Sequence, residues 1–136
     1  MSFTWSAALE TGHPVIDAQH WELINAVNNL LEACQHEQAE GNIDKALNFL
    51  VLYAKKHFAD EEMQQQQSNF PDFLNHRNLH NSFMMLLMDL VDELRHFGPS
   101  PMLVNRIVRN SGDWLITHIQ KEDARVAAHL RKSGAA

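Results

Sequence analysis

Apolar residues recur along this chain at alternating steps of four and three, and at several of those steps histidine or glutamate stands in place of leucine or phenylalanine. One series runs Ile43, Leu47, Leu50, Ala54, His57, Glu61, and another runs Phe73, His76, His80, Phe83, Leu87, Leu90, Leu94. An earlier one holds His20, Leu23, Val27, Leu30 and Cys34. This spacing marks one face of an α-helix, whereas a half-buried strand would alternate every second residue. Helices that bury so narrow a stripe pack at shallow angles in a bundle. A polar side chain on the stripe costs free energy unless it is satisfied inside, and a charge costs more. The chain must therefore fold as packed helices and give its buried imidazoles and carboxylates a common partner.

Glycine and proline are sparse and divide the chain cleanly. Residues 1–16, with Gly12 and Pro14, read as a non-helical N-terminal arm. Asp17 is the expected cap of a helix over about 18–40 that Gly41 ends, and Asn42 the cap of a second over about 43–66. Pro71 suits the first position of a third, over about 71–97. Gly98-Pro99-Ser100-Pro101 then breaks the chain before a fourth, over about 101–131. Four long helices with short connections predict an all-α fold, an antiparallel up-down-up-down four-helix bundle. The whole of 1–136 fits one domain, large enough to bury a core without disulfides.

Both His57-x-x-x-Glu61 and His76-x-x-x-His80 place two side chains one turn apart on the same helix face. Height along the bundle is an independent test. His20 lies near the start of helix one, and His76 and His80 lie near the start of helix three. His57 and Glu61 lie within ~15 Å of the end of helix two, at ~1.5 Å per residue. His118, Glu122 and Asp123 lie in the last part of helix four. In an up-down bundle these positions share one layer. Five imidazoles with carboxylates are too many ligands for one tetrahedral zinc, and they suit two metal ions bridged by carboxylates.

The formal net charge is −6, with acidic residues spread along the chain, which argues against a nucleic-acid surface. No stretch approaches the ~20 apolar residues that span a bilayer, and the N-terminus lacks a signal-peptide pattern, so the expectation is a cytoplasmic protein with no membrane insertion. The single cysteine forbids an intrachain disulfide.

The chain resembles the hemerythrin family, in particular its bacterial members. The resemblance rests on Trp5, Val15-Ile16-Asp17-Ala18-Gln19-His20, His57-Phe58-Ala59-Asp60-Glu61-Glu62, His76-Arg77-Asn78-Leu79-His80 and Trp114-Leu115-Ile116-Thr117-His118-Ile119-Gln120-Lys121-Glu122-Asp123. HxxxE or HxxxH alone is weak, but the four elements in order across the chain are specific. The resemblance implies a cofactor of two iron ions, oxo- or hydroxo-bridged. His76, His80 and His118 would hold one ion, His20 and His57 the other, and Glu61 and Asp123 would bridge them. It also implies reversible O2 binding at the ion with fewer histidines, for carriage, storage or sensing, with no catalysed turnover. Leu23, Phe58, Trp114, Leu115 and Ile119 would wall the open position. For Leu23 and Leu115 plain core packing is an equal reading.

Helix four sets periodicity against the resemblance. Residues five apart on an ideal helix diverge by ~140°, so His118 should share a face with Glu122, yet the family pattern selects Asp123. A local π-bulge, one extra residue in the turn, would reconcile them.

Other residues read more plainly. His13, His36, His96 and His129 read as surface or boundary residues, and Cys34 as an inert small hydrophobe. Met84, Met85 and Met88 read as core, Asp60, Glu62 and Glu122 as solvated charges, and Gln64–Gln67 as the solvated end of helix two. Trp5 should be a lid or an anchor that packs the arm onto the bundle. Three rival functions use the same site: a di-iron redox enzyme, a signalling domain cut from a larger sensor, and nitric oxide or iron handling. Ferritin-like di-iron enzymes carry paired Glu-x-x-His motifs on their ligand helices, and here Glu93 to His96 lies away from the ligand layer.

Overall fold

The computed structural model describes residues 3–35, 40–98 and 100–134. Helices α1 (Pro14–Gln35), α2 (Glu40–Gln67) and α3 (Phe73–Phe97) are followed by a long fourth helix, α4, over 101–132. Each helix packs on two neighbours, α1 on α2, α2 on α3, α3 on α4 and α4 back on α1, which closes an up-down-up-down bundle. Among the described residues there is no strand, and no helix is long and apolar enough to cross a membrane.

The helix boundaries depart from the expected ones by a few residues, for local reasons. Helix α1 begins at Pro14 rather than after Asp17, because His13 does the capping. The His13 ring Nδ1 accepts from the Ile16 N–H at 3.2 Å, and the side chain is buried, not at the surface. Asp17, in the first turn, instead holds the arm: its carboxylate accepts from the Thr11 N–H and Oγ1 at 2.8 and 2.7 Å. Helix α2 begins at Glu40, so Gly41 and Asn42 lie in its first turn, while His36 falls outside the described residues. Helix α3 begins at Phe73, with Pro71 in the turn before it. Gly98 ends α3 at φ 69°, a conformation that costs glycine little, and its N–H reaches the Leu94 carbonyl at 2.9 Å.

Helix α4 starts as the sequence predicts. Ser100 Oγ accepts from the Leu103 N–H at 3.1 Å, with Pro101 in the first turn. Replacing Ser100 by alanine should cost about 1 kcal/mol of stability, read from the shift of the denaturant midpoint at unchanged slope. Two stretches of α4 are wound as π-helix, Val108–Asp113 and Ile119–Asp123. In the first, buried Ser111 donates its hydroxyl to the Ile107 carbonyl, and Gly112 leaves room for the Phe3 ring. A Cβ on Gly112 would meet that ring at 1.9 Å. Phe3 and Trp5 thus fix the arm against the main core, and Asn28 secures it by accepting from the Phe3 N–H and donating to its carbonyl, both at 2.7 Å.

The main core includes Leu30, Leu50, Phe83, Leu87 and Ile107, with Cys34 buried among them and its thiol pKa pushed up by that burial. A separate, smaller cluster of Ile16, Phe70, Val126 and Leu130 lies at one end of the bundle. Between the two lies a layer of polar side chains. Met85 and Met88, expected in the core, are exposed, because both fall off the Phe83–Leu87–Leu90 stripe.

Candidate metal centre

Every helix sends side chains into that layer. His20 comes from α1, His57 and Glu61 from α2, His76 and His80 from α3, and His118 and Asp123 from α4, and all seven are buried. Their donor atoms form two groups, each within a 4.8 Å span. The larger holds His76, His80, His118, Glu61 and Asp123, and the smaller holds His20, His57, Glu61 and Asp123. The two carboxylates belong to both. Individual contacts are short: His20 Nε2 to Asp123 Oδ2 2.7 Å, His76 Nε2 to Glu61 Oε1 2.8 Å, and His118 Nε2 to Asp123 Oδ1 3.0 Å.

The last contact is possible because of the second π stretch. Widening of the helix over Ile119–Asp123 turns Asp123 onto the face of His118 five residues before it. Glu122, the partner that regular periodicity would select, points outward and pairs with Arg125 at 3.5 Å.

The electrostatics are those of a crowded, dry site. Burial lowers the His57 imidazole pKa to about 4, despite the opposing Glu61 charge, so this ring is neutral at pH 7. Burial also works against a charged His76, but the Asp123 and Glu61 carboxylates, 3.0 and 2.8 Å from its Nε2, outweigh it and raise the ring to about 9. For Glu61, burial and the neighbouring Asp123 charge push upward, but contacts from His76, His80 and His57 hold it below its usual range. Asp123 is likewise held well below its usual value, with burial overcome chiefly by His118.

Internal pairing alone does not satisfy this layer. The Nε2 atoms of all five histidines, Glu61 Oε2 and Asp123 Oδ1 lack hydrogen-bond partners. Two carboxylates can balance two imidazolium charges, and the remaining rings would face one another unpaired. A buried unsatisfied group costs about 1–3 kcal/mol. Seven together rival the roughly 5–15 kcal/mol net stability of a typical domain. Nitrogen and carboxylate donors converging in this way suit metal cations, and the sharing of both carboxylates suits two of them.

Residues around the layer turn the donors inward. His57 Nδ1 lies 2.7 Å from Gln19 Oε1, and His80 Nδ1 lies 2.9 Å from Glu62 Oε2. With Nδ1 donating outward, the neutral ring presents a bare Nε2 to the centre. Glu62, expected as a solvated charge, keeps partial exposure but also holds the His80 ring. Gln65 corrects the reading of the glutamine run: it is fully buried, with Nε2 3.5 Å from Glu61 Oε1. Of the expected lining residues, Leu23, Phe58, Leu115 and Ile119 are buried in the main core, and half-buried Trp114 packs against it. Phe58 stacks on His80 with ring centroids 3.9 Å apart, and Trp114 stacks on His118 at 4.6 Å.

Residues 11–130 match the Hemerythrin HHE cation binding domain family. The bacteriohemerythrin of Methylococcus capsulatus is 33% identical over 126 residues, covering 88% of this chain and 90% of that protein. Hemerythrin subunit beta of Lingula anatina is 27% identical, covering 94% and 95%. A solved structure of wild-type hemerythrin superposes with a TM-score of 0.81 at 29% identity, covering 98% of both chains.

Proposed function

The chain belongs to the hemerythrin family, and from that premise we propose that it binds two iron ions and takes up O2 reversibly between them and an apolar wall. The observation that carries this reading is the pair of donor groups sharing Glu61 and Asp123. His76, His80 and His118 would hold one ion, and His20 and His57 the other. When bound, two ferrous ions supply the two electrons that reversible O2 uptake draws on.

The chain's own residues supply the rest. The side with two histidines offers one donor fewer, which would leave room for a small ligand there. Leu23, Phe58, Trp114, Leu115 and Ile119 form the lining, and buried apolar side chains exclude water and anions while admitting a small neutral molecule. The centre presents imidazoles and shared carboxylates, and the role proposed for it is binding rather than turnover.

The test is anaerobic reduction of the iron-loaded protein followed by exposure to O2. The expected result is two irons per chain and a visible absorption band that appears with O2 and fades when O2 is removed. Full zinc occupancy in the protein as isolated, or an optical spectrum indifferent to O2, would overturn the reading.

A further inference from the structure

Three consecutive acidic residues in α2 do three different things. Side chains on a helix fan by ~100° per residue, so when Glu61 points to the centre, its neighbours flank it on opposite sides. Asp60 lies toward α1 and accepts from Gln19 Nε2 at 3.3 Å. Glu62 lies toward α3 and meets His80 Nδ1 at 2.9 Å. A carboxylate only accepts hydrogen bonds, so Asp60 orients the Gln19 amide with its NH2 outward and its carbonyl toward His57. That carbonyl is 2.7 Å from His57 Nδ1.

The two outer acceptors differ in kind. Behind His57 stands a neutral amide oxygen, and behind His80 a carboxylate. We propose that Gln19 and Glu62 are positioning residues that make the two metal ions unequal, Glu62 strengthening electron donation through His80 to the three-histidine ion while Gln19 leaves the two-histidine ion the poorer in electrons. The inference rests on the two-ion reading above. A hydrogen bond to a carboxylate is roughly twice as strong as one to a neutral acceptor, and it raises the basicity of the imidazole that donates it. The more basic ring favours the higher oxidation state of its metal. Glu62 has the access its role needs: it is 23% exposed and lines an opening of about 390 Å³ with Lys55, Phe58, Asn81 and Met84, so its charge stays hydrated while its inner oxygen holds the ring.

The test uses the full chain loaded anaerobically with iron, comparing wild type with Glu62→Gln and Gln19→Met. Readouts are iron per chain, the site-resolved Mössbauer signals of the two irons, and the midpoint potential of the centre. Glu62→Gln keeps a hydrogen-bond acceptor and removes the charge. It should retain two irons, alter one of the two signals, and shift the reduction equilibrium about tenfold toward the reduced form, about 59 mV more positive for a one-electron step. Gln19→Met removes the other acceptor. It should alter the other signal and weaken that ion's binding, by about 10–100-fold for a loss of this kind. An unchanged potential in Glu62→Gln with two irons bound overturns the proposal, as does perturbation of the same signal by both variants. If Gln19→Met does not fold, the Glu62→Gln potential decides alone. A wild-type chain that fails to bind two irons sinks the two-ion reading, and the proposal with it. A wild type that binds two irons with an unmoved potential in the variant sinks the proposal only.

Discussion

Replacing Glu61 or Asp123 by alanine should remove more bound metal than replacing any one histidine. Each carboxylate belongs to both donor groups, whereas each imidazole belongs to one. Loss of Glu61 also leaves His76 and His80 without the oxygen they approach at 2.8 and 3.3 Å, and loss of Asp123 does the same to His20 and His118. The expected iron content is below one per chain in Glu61→Ala and Asp123→Ala, against about one in His20→Ala, since a structural ligand set ties metal affinity to its donors. If both carboxylate variants keep two irons while His20→Ala loses them, the bridging arrangement is wrong. Far-ultraviolet circular dichroism alongside separates loss of metal from loss of the bundle.

The second large effect is expected at Ile119. It is buried, follows His118 directly and sits in the widened stretch of α4. Replacing it with histidine or glutamate places a polar, proton-bearing group in the apolar lining. Such groups draw in water, and a dry wall is what the proposed O2 complex depends on. The lifetime of that complex should fall by about tenfold or more, equivalent to about 1.4 kcal/mol of barrier. Unchanged lifetimes in both variants would show that Ile119 serves packing alone. Iron content must be measured on the same samples, because a buried carboxylate beside the centre can also compete as a ligand.

Much of this arrangement was legible in the sequence, and the reason is periodic. A histidine on an apolar stripe stands out, and three such stripes, with their polar residues and those late in the fourth helix at one height, leave few ways to fold. The convergence of His20, His57, Glu61, His76, His80 and His118 follows from that, whereas Asp123 was selected by the resemblance against the spacing. The widened turn at Ile119–Asp123 was legible only as a conflict between helical spacing and a resemblance. The other π stretch, Val108–Asp113, gave no signal beyond a serine-glycine pair. Residues that act from the flank were missed for a common reason. Glu62 and Gln19 lie beside the stripe, where spacing gives the same pattern as a solvated face. Gln65 was hidden in a glutamine run, although it lies four residues after Glu61 and so on the same face. His13 was missed as a cap because histidine is not among the side chains that favour that position. Its ring nitrogen does what a serine or aspartate oxygen does elsewhere.

The division of the apolar interior has a consequence for how the protein opens. Ile16, Phe70, Val126 and Leu130 lie beyond the polar layer, at the beginning of α1, the α2–α3 turn and the final turns of α4. Four side chains are a small store of buried area, so this end has the lower free energy of local unfolding when nothing ties the layer together. The donors reach across all four helices, and whatever they hold in common closes that end. Ions bound only by the closed form stabilise it in proportion to the logarithm of their concentration over their dissociation constant. Amide hydrogens at the end of α4 then exchange at a rate set by occupancy of the centre, while those around Leu50 and Leu87 exchange by global unfolding. One half of the bundle keeps its own shape, and the other keeps it on loan from the centre.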